Sequence, residues 1–349
     1  MQSTSGLEKK PPSIGSTEAP SNTNPREISI GGVSPLPSAE PPSQIPLATH
    51  HFPQRYLYAF ATQGEVINHV RTQAVVEESH RLSEILLGWE LLQPRVTALM
   101  EKEIGRANIH SLQPIPEEYR ALLDALTGDM LFQKSFLHVP TGFALVNIDD
   151  LVAPQRTVNL DYVDRLVKRF PPAPTFADLF DICLSSKRHI DPIQHLEVGP
   201  NAHVFSSPNS DIRFLGAFVK ELSSEDLSYA ELGGLPAAAI IAFVGYGAAP
   251  VNVLHAGGRV ILNNGFHRVF ALRSMGVKQI PVVVQQIRNP QLEFPPHVSG
   301  LSREYLLSHP RPVLMRDFFE PDFAITLKVR ERLKTVNINV ATNQYEVPS

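Results

Sequence analysis

The run Asn263-Asn264-Gly265-Phe266-His267-Arg268 puts two potential cations just past a glycine, where a helix should begin. Around it, "VILNNGFHRVFALRSMGVKQIPVVV" at 260–284 has the order strand, tight turn, short helix, glycine stop and second strand. A helix N-terminus is the positive end of the backbone dipole and disfavours further positive charge. Its first amides have no intrahelical acceptor and point outward as donors. A phosphate or carboxylate held between those amides and the two side chains removes the conflict. Arg268 would grip two oxygens with its planar fork and His267 would add a donor. Gly265, with Asn264 in the same turn, would let the anion approach the backbone. The bland alternative is a first-turn arginine that is solvated or paired with a nearby carboxylate.

Other polar groupings are weaker. In "VFSSPNSDIRFLGAFV" at 204–219, Ser206, Ser207, Asn209, Asp211 and Arg213 crowd between two apolar runs. These residue types form turns through local hydrogen bonds, and that is the first reading. The functional alternative is that the loop supplies Asp211 or Arg213 to the same anion site. His189, His195 and His203 fall close together with Asp191 and Glu197. They are ligand types for zinc or iron, but their spacing fits no compact motif, so no metal site is assigned. "FVGYGAAPVNV" carries Gly245-x-Gly247, yet Pro250 stands at the third glycine position, which excludes a dinucleotide fingerprint. No His-Glu-x-x-His or Gly-x-Ser-x-Gly run is present.

Composition bounds the chemistry further. The chain of 349 residues has 43% hydrophobic and 19% charged residues and a net charge of −4. That is globular, and it disfavours whole-chain attraction to nucleic acid or anionic lipid. One cysteine, Cys183, excludes an internal disulfide and a cysteine zinc site. With no secretory leader and no apolar run of bilayer length, the expectation is a cytoplasmic protein without a membrane partner.

The elements that must position these residues fall into four stretches. Residues 1–47 are crowded with Pro, Ser, Gly and Thr and are expected to be a disordered tail. Residues 48–134 are expected to be helical. A capping box Thr62–Glu65 opens a helix that Pro94 should end or kink, a second follows over "RVTALMEKEIG", and "PEEYRALLDALTGDMLFQ" is a third. Residues 135–290 form the main domain. In it "FALVNI" is a strand, "DDLVAPQR" a turn and "NLDYVDRLVKRF" a helix capped by Asn159. "PIQHLEVG" and "AHVFSS" are short strands, "SSEDLSYAELGG" and "LPAAAIIAFVGYG" are helices, and "APVNVLHAGGRVILNNG" is a hairpin turning at Gly257-Gly258. Residues 291–349 add the helix "FAITLKVRERLKTV" and a polar tail. The fold class is α+β.

"LNNGFHRVFALRSMGVKQIPVVV" resembles the phosphate-binding segment of the ParB/sulfiredoxin-like superfamily, where a strand leads through a glycine turn and an Arg-bearing helix to a "G…IPV" strand. "VNIDDLVAPQRTVNLDYVDRLVKRF" is more loosely similar to the opening strand, turn and helix of that domain. The resemblance covers about 25 residues well, and the stretch from about 171 to 250 would be an elaboration. It implies that Gly265, His267 and Arg268 hold phosphate, with Gln155 and Arg156 as a looser upstream match. It implies ATP or another nucleoside phosphate with magnesium, and a small-molecule kinase or nucleotide hydrolase as the activity. Asp149, Asp150 and Asp211 are then the candidate bases, and nothing in the sequence chooses among them. Phe266 stands where sulfiredoxins have a reactive cysteine, which removes sulfinate reduction. No DNA-reading helix pair follows residue 287, which disfavours a partition protein, and the net charge disfavours a nuclease. The alternative is a non-catalytic interaction module that keeps the fold and contacts a protein partner through the N-terminal helical region. Carboxylates able to hold magnesium and converging on Arg268 would mark the enzyme, and a closed cleft with Arg268 paired to a protein carboxylate would mark the scaffold.

Overall fold

A computed structural model describes residues 50–108, 112–136, 138–185, 192–199, 201–207, 209, 211–223, 226, 234, 236–294 and 300–346. The expected tail, most of the helix expected at 223–234, His189 and Asp191 lie outside the described residues. In chain order the described elements are β1 (His51–Tyr56), α1 (Gln63–Gln73), α2 (Val76–Ser79), α3 (Leu82–Lys102), α4 (Arg120–Gly128), α5 (Met130–Phe136) and β2 (Thr141–Asn147). Next come β3 (Thr157–Asn159), α6 (Leu160–Arg169), α7 (Phe176–Leu184), β4 (Gln194–Gly199), β5 (Ala202–Ser207), β6 (Ile212–Glu221) and β7 (Ala238–Tyr246). The chain continues through β8 (Asn252–Ala256), β9 (Arg259–Asn264), α8 (Phe266–Ser274), β10 (Gln279–Gln286), α9 (Pro290–Glu293), α10 (Arg303–Ser308), β11 (Ile325–Arg330) and β12 (Lys334–Asn339).

The class is α+β. The sheets run β2-β10-β8-β9, β11-β1-β3, β12-β5-β4 and β6-β7. In the first, β10 lies antiparallel to β2 and parallel to β8, so α8 is the crossover that returns β9 to β10. The strand β10 is buried from Ile280 to Gln285, which accounts for its unbroken apolar run "IPVVV". The hairpin β8–β9 turns through Gly257 (φ 57°) and Gly258 (φ 80°), the left-handed pair that matches the twist of the strands.

Two capping predictions hold in atomic detail. Thr62 Oγ1 accepts from the Glu65 amide while the Glu65 carboxylate accepts from the Thr62 amide. Asn159 Oδ1 accepts from the Tyr162 amide and starts α6. The helical region breaks elsewhere than expected: Ala74–Val75 is extended, and Pro94 sits inside α3. The third helix divides at Asp129 into α4 and α5.

Two expected helices are strands. "LPAAAIIAFVGYG" forms β7, paired along its length with β6. Its alanines favour helix in isolation, but Ile240, Ile241, Phe243 and Val244 fit a pleated surface and the cross-strand partners decide. "FAITLKVRERLKTV" forms β11 and β12. In β11 the side chains of Leu327 and Val329 are buried while Thr326, Lys328 and Arg330 are exposed, a period of two rather than 3.6. That alternation was present in the residues.

The helical region and the C-terminal stretch share one core with the central sheet. Val96, Leu126, Phe132 and Phe136 pack in the same cluster as Val146, Val283, Val269 and Phe270, closed by Met315, Phe318 and Phe323. Among the described residues no helix is long and apolar enough to cross a membrane.

Candidate functional site

Gly265 forms the N-cap of α8 with φ 91°, a left-handed conformation that L side chains rarely adopt. A Cβ there would lie 2.7 Å from Val251 Cγ2. The helix opens with no side-chain cap and no acidic residue in its first turn. The geometry around that end answers how two potential cations are tolerated.

Arg268 folds back across the turn, its Nη2 3.3 Å from where a Gly265 Cβ would be, closer than an ordinary van der Waals contact. Its guanidinium donates to the carbonyls of Ile182 (3.1 Å) and Ala249 (2.5 Å). Ile182 belongs to the last turn of α7, whose terminal carbonyls have no intrahelical partner and carry the negative end of the dipole. Arg268 therefore bridges the positive end of α8 to the negative end of α7. Asn264 completes the arrangement: its Nδ2 donates to the Ala248 carbonyl and its Oδ1 accepts from the Gly265 amide at 2.7 Å. Backbone oxygens of the 247–250 strap and of α7 thus take Arg268 donors that were expected to hold an anion.

His267 is no cation. Its Nε2 accepts from the Asn159 amide at 3.2 Å, at the entry to α6, and its ring meets Tyr162 edge-on at 5.2 Å between centroids. Burial pushes the imidazole down to about 4. An Nε2 that accepts from Asn159 is not available to donate to a phosphate oxygen.

The upstream pair is engaged elsewhere. Gln155 Nε2 donates to the Thr157 carbonyl at 2.6 Å. Arg156 pairs with Glu65 of α1 at 2.9 Å and lies over the Tyr305 ring. Asp149 is held by Arg273 in a two-pronged contact of 2.6 and 3.1 Å, near the C-terminal end of α8. Asp150 accepts from Arg106 at 2.9 Å and from Asn147 at 3.0 Å. Neither carboxylate is brought to Arg268. Asp211 pairs with Arg213 and accepts from the Gly247 amide at 3.1 Å. That contact ties the Asp211–Arg213 turn to the strap that covers Arg268, so this turn does reach the site, through backbone. Asn209 Oδ1 accepts from the Asp211 amide and Ser207 Oγ accepts from the Asn209 amide, the local turn bonds expected of these residue types.

A cleft of about 130 Å³ opens beside Asp150, between Gln113, Asn147 and Gln279, away from Arg268. Sites for drug-sized ligands span roughly 300–1,000 Å³, so this one holds a few waters and no nucleotide. Among the described residues no group of three or more His, Cys, Asp or Glu side chains is placed to hold a metal. Cys183 is fully buried and its thiol is pushed up to about 12, which keeps it protonated and unreactive.

Sequence reasoning missed the groups that satisfy Arg268. Two are backbone carbonyls, which every residue type carries. The helix that supplies one of them did leave a signal, since Thr175 and Asp178 form a capping box that opens α7. No protein-family model, no curated protein and no solved structure matches the chain.

Proposed function

We propose that the chain is a non-catalytic protein-interaction module whose working surface is the β6–β7 ribbon. One observation carries this reading. Phe214, Leu215, Phe218, Val219, Ile240 and Phe243 are each 48–70% exposed. Pairing of Phe218 with Ile241 and of Val219 with Ile240 puts apolar side chains on both faces of the ribbon. Strands that are apolar on both faces are normally covered on both. About half the surface of six large side chains is on the order of 600 Å², divided between the two faces, and a patch of a few hundred Å² on a monomer is often functional. A standard interface takes about 800 Å² per partner. An apolar protein surface is the complementary occupant, and a second copy of the chain is the one present in every preparation. The helical region offers a smaller patch, with Leu87 and Leu91 one turn apart on α3 and both exposed.

The engaged state of Arg268 supports the same reading, because two of its donors are already given to the Ile182 and Ala249 carbonyls. The nucleotide reading, with ATP and magnesium and a ParB/sulfiredoxin-like frame, keeps one observation in its favour: α8 begins without a cap or an acidic group of its own. Light scattering over rising concentration, with a thermal-shift series of nucleoside di- and triphosphates plus magnesium, separates the two. The module self-associates, Ile240→Lys/Phe243→Lys abolishes this, and nucleotides leave Tm unchanged. A monomer at every concentration whose Tm climbs with nucleotide would transfer the case to the nucleotide reading.

A further inference from the structure

The hairpin β4–β5 brings together two histidines that nothing in the preceding reading uses. Its register sets His195 opposite Phe205 and Glu197 opposite His203. Val204 and Ser206 point inward and are buried, so His203 and Phe205 project from the other face of β5. His195 and His203 are therefore diagonal neighbours on one face, within mutual reach. His195 Nε2 lies 3.2 Å from His203 Nδ1. The His195 ring stacks on Phe205 at 4.8 Å and 27°, which fixes its plane. The strand β5 is held on both edges, by β4 and β12, so the backbone beneath His203 is anchored, while β4, which carries His195, is the edge strand paired to it.

We propose that His195 and His203 form a two-imidazole site for a zinc-class divalent cation, with solvent completing the coordination. Imidazole nitrogens bind zinc at 2.0–2.1 Å, and two of them at the tetrahedral angle are about 3.3 Å apart. A square-planar or octahedral ion, with ligands at right angles, would bring them to about 2.9 Å. The observed 3.2 Å matches the tetrahedral edge. An exposed rim lets water fill the remaining positions. The cation would cross-link β4 to β5. The competing account of the same distance is a plain hydrogen bond between two neutral imidazoles, one donating and one accepting.

Calorimetric titration of the tag-free full chain with Zn²⁺ in a non-chelating buffer decides between them. One equivalent should bind and raise Tm, and His195→Asn and His203→Asn should each lose that equivalent while melting as wild type does without metal. Equal zinc uptake by wild type and either variant, or none by wild type, overturns the proposal. If a variant melts early, acylation of the wild type by diethylpyrocarbonate replaces it. Zinc should then protect His195 and His203 together, and modification of both at the metal-free rate overturns the proposal.

Discussion

Arg268→Met separates the two accounts of the α8 N-terminus by sign. Methionine keeps the unbranched stem and removes the guanidinium. In the structure that guanidinium satisfies the carbonyls of Ile182 and Ala249. Hydrogen bonds to charged groups contribute about 1.5–3 kcal/mol each, and carbonyls left unpaired add to the loss. Because Arg268 is only partly buried, the low end of that range applies to each bond, for a total of about 3 kcal/mol. At about 1.5 °C per kcal/mol for a chain of this size, Tm should fall by roughly 4–5 °C. If Arg268 instead waited for an anion, the ligand-free protein would carry an uncompensated cation at a positive helix end. Removing it would then stabilise by about 0.3–1 kcal/mol and raise Tm by about 0.5–1.5 °C.

The assay is thermal and urea unfolding of both proteins in buffer free of phosphate, sulfate and nucleotide. Urea is uncharged and leaves the electrostatics unscreened, and salt is held low for the same reason. An equal or higher Tm for Arg268→Met without ligand refutes the bridge between α7 and α8. A Tm that rises in millimolar phosphate in the wild type but not in Arg268→Met would show an anion competing with the two carbonyls.

His267 and Arg311 supply the remaining predictions. Burial lowers the His267 imidazole from 6.5 to about 4, so the folded state binds its proton less readily than the unfolded chain. Its contribution is complete above about pH 6.5 and is lost as pH falls towards 4; a difference of 2.5 is about 3 kcal/mol. His267→Asn, whose amide oxygen can accept from Asn159, should flatten that acid limb in urea melts at pH 4–7, leaving the part that comes from His69, likewise lowered to about 4. An unchanged limb would contradict the acceptor role. Arg311 and Asp317 are each 1% exposed, and Arg311 donates to both Asp317 oxygens at 2.5 and 2.7 Å and to Glu103 at 2.9 Å. Arg311→Met should cost about 3–5 kcal/mol by stranding a buried carboxylate, and Arg311→Met/Asp317→Leu should recover part of it in the same melts. A double variant no more stable than the single one contradicts the cause given.

What could be read from the residues divides along a physical line. Features set by a local rule were legible: the Thr62–Glu65 box, the Asn159 cap, the Gly257-Gly258 turn and the sequence β9–α8–β10. Each depends on a few neighbours along the chain. Features set by a distant partner were not. In β7 the alanines point to helix and only the presence of β6 makes a strand of them. The ladder of β11 is the exception, since its alternation was visible and lost to the helical appearance of "KVRERLK".

The site follows the same division with a sharper consequence. Gly265, the turn and the placement of Arg268 were legible because they depend on residue type. The acceptor was not, because the rule that a cation at a helix N-terminus needs negative charge does not say that the charge must be foreign. A helix C-terminus supplies about half an elementary charge from backbone alone, and no side chain marks it. Arg268 finds it 86 residues upstream at Ile182, and the strap held by Asp211 and Asn264 brings the second carbonyl. An arginine that donates to carbonyls at a helix C-terminus and in a neighbouring strap is held in place without a guest. The motif that resembles a phosphate site is thus also a sufficient device for docking α7 against α8, and the sign of the Arg268→Met effect is the quantity that tells the two apart.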